Sequence, residues 1–69
     1  MPDRTYKVTQ IVGTSSTSFE DAIAGAVKRA AKTLHGLAWF EVAEFRGAIG
    51  KNGKVEEWQV KLDVAFRLD

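Results

Sequence analysis

The side chains able to do chemistry in this chain are few, and the familiar reactive sets are missing. There is no Cys, which removes a thiolate nucleophile, a disulfide and a thiolate zinc site together. The single His, His35, has no acid–base partner at any visible spacing, and as a solvated side chain near a helix end it is fully accounted for. The glycines at 47, 50 and 53 lack the Gly-Lys-Ser/Thr ending and the strand-to-helix context of a phosphate loop. The run Thr14-Ser15-Ser16-Thr17-Ser18 could receive an anion at a helix N-terminus, yet capping explains it. No carboxylate pair stands out, so no catalytic residue, no metal ligand and no enzyme is expected. What remains is Trp39, Phe45 and Gln59. Aromatic faces together with one amide, which both donates and accepts, suit a planar heterocycle presenting alternating C=O and N–H groups. Stacking adds about 0.5–1.5 kcal/mol beyond area burial.

These residues need elements to hold them. Arg4 to Val12 reads as a strand that Gly13 ends. Phe19, Ala22, Ile23, Ala26, Val27, Ala30, Ala31 and Leu34 then recur at spacings of three and four, the apolar stripe of a helix over 18–35. Thr17 with Glu20, or Ser18 with Asp21, offers a capping box, and Gly36 is the natural stop. Beyond Gly36 the period becomes two. Trp39, Glu41, Ala43 and Phe45 fall on one face, while Ala38, Phe40, Val42 and Glu44 fall on the other. In the last segment Trp58, Val60, Leu62, Val64, Phe66 and Leu68 make a continuous apolar face opposite Glu57, Gln59, Lys61, Asp63, Ala65 and Arg67. Gly50-Lys51-Asn52-Gly53 marks the turn between these two strands.

The order strand, helix, hairpin is an α+β arrangement in which the helix covers the one apolar face of a three-stranded sheet. For Phe40 and Val42 to share that face with the even residues of the last strand, paired residue numbers must sum to an even value. An odd-length loop or a bulge near Gly50 to Gly53 is therefore expected. Trp39, Phe45 and Gln59 are then left on the uncovered face. Exposed aromatics of that kind mark either a subunit interface or a ligand site, and both readings stand.

The totals agree. Sixty-nine residues make a single domain over 1–69, and a chain this short buries only about 60% of its unfolded surface. Self-association is the staple left to it. Hydrophobic content of 45% and charged content of 28% fit a soluble globular domain. No membrane span or secretory leader is legible, so a cytoplasmic location with no membrane partner is expected. Ten Lys plus Arg against nine Asp plus Glu leave a charge of +1, which argues against a nucleic-acid binder.

The chain resembles the dodecins, small flavin-binding proteins that assemble as hollow twelve-subunit shells. The likeness runs from Tyr6 to Leu68. It rests on Val12-Gly13-Thr14-Ser15, on Leu37-Ala38-Trp39-Phe40-Glu41-Val42, on Arg46-Gly47-Ala48-Ile49-Gly50 and on the run from Gln59 to Leu68. The resemblance implies a strand-helix-strand-strand fold with a curved antiparallel sheet wrapped around one helix. It implies that Trp39 matches the family's flavin-stacking tryptophan, two of which sandwich a pair of flavins near a two-fold axis. Gln59 matches the glutamine that hydrogen-bonds the pyrimidine edge, and Arg46 is expected near the ribityl or phosphate end. With Phe45 these are the expected flavin contacts. FMN or riboflavin is the expected ligand, and coenzyme A is a second, since some bacterial members bind it on the shell. The implied partner is the chain itself, as a homododecamer that stores flavin and dissipates its excitation. Ala48 departs from the acid that halophilic members carry. The rival reading is an interaction module whose aromatic face only docks another protein.

Overall fold

The computed structural model describes residues 3–68. The chain runs through β1 (Thr5–Ser15), α1 (Phe19–Thr33), β2 (Leu37–Ile49) and β3 (Val55–Leu68). The last strand lies in the middle of the sheet, antiparallel to β1 on one side and to β2 on the other. This is the expected α+β strand-helix-strand-strand order, with one helix on a three-stranded antiparallel sheet. β3 alternates most strictly because it alone is paired on both edges. Its Val60, Leu62 and Val64 are buried and form the core with Ala22 of α1.

The turn into α1 is organised by a buried hydroxyl. Ser18 is the N-cap, its Oγ accepting from the Asp21 N–H at 3.0 Å. Asp21 does not complete the expected capping box. Its carboxylate instead accepts from the Ser15 hydroxyl at 2.7 Å, and Ser15 Oγ accepts the N–H groups of Thr17 and Ser18 at 2.9 and 3.3 Å. Glu20 and Asp21 in the first turn and Lys32 in the last complement the helix dipole. The helix stops at Thr33, short of the expected 35, because Leu34 already leaves in an extended conformation. Gly36, at φ 73°, then turns the chain into β2, and its carbonyl accepts from the Arg67 N–H at 3.0 Å.

Gly13 does not end β1, which continues to Ser15. A side chain there would overlap the Ala22 carbonyl oxygen and sit 2.7 Å from Ala26 Cβ. The glycine is what lets α1 lie directly on the strand.

The hairpin loop, Gly50 to Lys54, is odd in length as expected. It is closed by bonds from Gly50 N–H to the Lys54 carbonyl and from Gly53 N–H to the Gly50 carbonyl. Phe40 opposes Val64 and Val42 opposes Leu62, the even-sum register. That register does not hold throughout. It slips between Leu37 and Trp39, between Val42 and Glu44, and between Ala48 and Ile49.

The protomer is elongated, 56 × 20 × 14 Å, with a radius of gyration of 14.4 Å against about 11 Å for a compact chain of this length. Its accessible surface is 5308 Å², where about 4,300 Å² is usual for this mass. The cause is a mismatch of lengths. Fourteen residues of β3 span about 46 Å, while fifteen of α1 span about 22 Å. The hairpin end therefore projects beyond the helix, with Ile49 78% exposed.

Candidate ligand-recognition face

On the side of the sheet away from α1 the register sets residues in rows across the three strands. Val8, Ala65 and Trp39 form one row, followed by Gln10, Asp63 and Glu41, then Val12, Lys61 and Glu44, then Thr14, Gln59 and Arg46. One end is apolar and aromatic. The rings of Tyr6 and Trp39 lie 4.7 Å apart at 59°, and Ala65 between their strands is fully buried although no helix covers that side. The small Ala65 is what allows two rings on the flanking strands to meet across β3. Tyr6 was not among the expected site residues; its signal was the pairing of an aromatic on each outer strand with an alanine between them. Trp39 keeps 45% of its surface exposed, and the tilted tyrosine leaves its indole without a parallel stacking partner.

The middle of the face is charged. Lys61 Nζ donates to Glu44 Oε1 at 3.0 Å, the one ion pair among the described residues. The Lys61 hydrogen bond, then its charge, holds the Glu44 carboxyl below the usual carboxylate range.

The far end is a hydrogen-bonded chain. Arg46 Nε donates to Gln59 Oε1 at 2.7 Å, and Gln59 Nε2 donates to Glu57 Oε1 at 2.7 Å. The amide still has one N–H and one acceptor lone pair to offer, and the terminal nitrogens of Arg46 make no hydrogen bond among the described residues.

Phe45 is a correction. It was expected beside Trp39, but the extra residue Ala43 between Val42 and Glu44 shifts the phase of β2. A one-residue bulge sends everything after it to the opposite face. Phe45 accordingly opposes Val60 and sets its ring 4.9 Å from Phe19 on the helix side, next to the Phe19–Trp58 pair, also 4.9 Å. The same shift brings Arg46 onto the face with Gln59. Trp58 lies on the core side as expected. Trp39 and Gln59 share a face but are not neighbours, since Ala65 opposite Trp39 is six residues along β3 from Gln59, about 20 Å of strand.

The dodecin family profile matches residues 5–69. A dodecin of Thermus thermophilus is 53% identical over 66 residues, 96% of this chain and 94% of that protein. The chain belongs to the dodecin family. The solved dodecin of Streptomyces davaonensis superposes with a TM-score of 0.93 at 48% identity, covering 99% of this chain and 98% of that one. A Mycobacterium tuberculosis relative named calcium dodecin is 40% identical over 63 residues, 91% of this chain and 87% of its own. Among the described residues of this dodecin no three acidic or imidazole side chains cluster as a metal would need. No helix among them is long and apolar enough to cross a membrane.

Proposed function

We propose that this dodecin is a flavin-binding, storage and sequestration protein rather than an enzyme, with FMN as its preferred ligand. The observation that carries the proposal is the half-exposed indole of Trp39, held from one side by a tilted Tyr6 and free to stack on a planar ring. Gln59 fits the polar edge of such a ring with its remaining N–H and lone pair, and the free nitrogens of Arg46 suit a phosphate. Bound flavin supplies a light-absorbing isoalloxazine and nothing the protein must turn over. Trp39 stacks against it as an electron-rich partner and thereby quenches its excited state. Phe45, on the helix side, is not part of this contact.

The separation of Trp39 from Gln59, about 20 Å along β3, exceeds the reach of one isoalloxazine ring. A flavin using both is therefore held between two subunits, and the site belongs to an assembly, for which the family's twelve-subunit shell is the proposed form. The surplus surface of the elongated protomer supports this, as do the exposed Phe40, Phe45, Ile49 and Val55, which a free subunit would leave wet. The test is a titration of FMN fluorescence with the purified protein, together with its absorbance spectrum and native mass. Quenching that is lost in Trp39→Ala supports the reading. A colourless protein that leaves FMN fluorescence untouched ends it and favours the docking module.

A further inference from the structure

Glu57 has no part in the contacts described for the ligand, yet it ends the chain Arg46–Gln59–Glu57. Resting on the flavin reading above, we infer that Glu57 is a positioning residue that sets the direction in which Gln59 presents its amide. The argument is one of donor and acceptor capacity. A guanidinium can only donate and an ionised carboxylate can only accept. With Arg46 Nε at 2.7 Å on one side and Glu57 Oε1 at 2.7 Å on the other, one amide orientation satisfies both neighbours. The flipped orientation faces N–H against N–H and oxygen against oxygen and loses both bonds.

The consequence is a fixed reading frame. Gln59 shows a ligand one lone pair on the Arg46 side and one N–H on the Glu57 side, in that order along the face. An edge bearing an N–H beside a C=O in the matching order is accepted. An edge in which that N–H is blocked leaves the second lone pair of the Gln59 oxygen unpaired and cannot be rescued by rotating the amide, because rotation breaks the chain. Discrimination for an imide edge thus rests on a residue two positions away on the same strand face. Of the charged groups on this face, Arg46 on β2 and Glu57 on β3 touch the amide, and Lys61, the next residue along β3 on that face, is engaged by Glu44.

The experiment uses the full-length assembled protein with FMN and with its N3-methyl analogue, which lacks the imide N–H. Wild type is expected to bind FMN at least tenfold more tightly than the analogue. In Glu57→Ala and Glu57→Met, neither of which offers the oxygen that accepts from Gln59 Nε2, FMN affinity falls about tenfold and the preference over the analogue shrinks to threefold or less, while quenching at saturation persists because Trp39 is untouched. Native mass and circular dichroism matching wild type exclude misfolding, and the Met variant, which keeps the side-chain volume but lacks the oxygen acceptor, guards against a packing loss in the Ala variant. If wild type binds FMN and both variants keep its affinity and its preference, the positioning role is overturned. If wild type itself does not bind FMN, the flavin reading fails first and the inference falls with it.

Discussion

Replacing Gly13 by alanine tests how the helix is seated on the sheet. The backbone at Gly13 has no positive φ, so alanine meets no conformational barrier there, and removing a glycine stiffens the unfolded chain by about 0.4–1 kcal/mol in favour of folding. The opposing effect is steric. The new methyl overlaps the Ala22 carbonyl oxygen and lies 2.7 Å from Ala26 Cβ. Neither obstacle can swing away, as one is helix backbone and the other a methyl on it, so α1 must lift from β1 and loosen the core of Ala22 with Val60 and Leu62. Overpacking of this kind costs about 1–3 kcal/mol, which outweighs the entropic gain and leaves a net loss of about 1–2 kcal/mol. For a domain of this size that lowers the thermal midpoint by about 5–15 °C. Gly25 is the internal control. It lies on the exposed side of α1, where nothing is within 4 Å of its missing methyl, so Gly25→Ala should raise stability by about 0.5–1 kcal/mol. Both variants are melted at one protomer concentration, since an assembly's midpoint depends on it. A Gly13→Ala protein melting at or above wild type would refute the reasoning.

Three other outcomes follow from named contacts. Ser15→Ala removes the buried hydroxyl that bonds Thr17, Ser18 and Asp21 in a partly exposed turn, and urea titration should show a loss of about 1–2 kcal/mol. Phe45→Leu should lower the melting temperature through the loss of the Phe19 ring contact yet leave FMN quenching at wild-type depth, a direct check that this ring lies on the helix side. Glu44 has a folded-state pKa lowered by Lys61, so its contribution is present above the unfolded carboxylate value and fades as pH falls through the lowered one. Glu44→Gln should therefore flatten the acid side of the melting-temperature profile and leave the profile above pH 6 nearly unchanged, because the pair is exposed.

The parts of this fold legible in the sequence were those where one period ran uninterrupted. The stripe from Phe19 gave α1, and the even residues of β3 gave the core, because a strand paired on both edges has no room to depart from alternation. Gly13 misled because glycine signals both a strand end and a close approach, and only the position of α1 tells them apart. Phe45 misled for a related reason. A bulge at Ala43 leaves no mark in composition, yet it inverts every face assignment after it, which sent Phe45 to the helix and brought Arg46 to Gln59. Trp39 and Gln59 were singled out by residue type and by the period-two face, and both lie on the side away from α1. Tyr6 and Glu57 were not, since each acts through a partner on the sheet that only the register reveals.

The distance between Trp39 and Gln59 turns the question of assembly into one that can be counted. If each flavin stacks on Trp39 of one subunit and is read by Gln59 of another, neither residue alone makes a site. Trp39→Ala and Gln59→Ala proteins should each lack high-affinity sites in isolation. Unfolded together in equal amounts and reassembled, they form mixed pairs in which the intact Trp39 of one subunit faces the intact Gln59 of the other. In an assembly of two-fold pairs, half of the pairs are mixed and each regains one of its two sites, so about one quarter of the wild-type capacity returns. A flavin held within a single chain would regain none, because no subunit in the mixture carries both residues. The decisive measurement is the stoichiometry of tight FMN binding before and after mixing. Recovery near a quarter identifies a shared site, and no recovery above the separate variants refutes it.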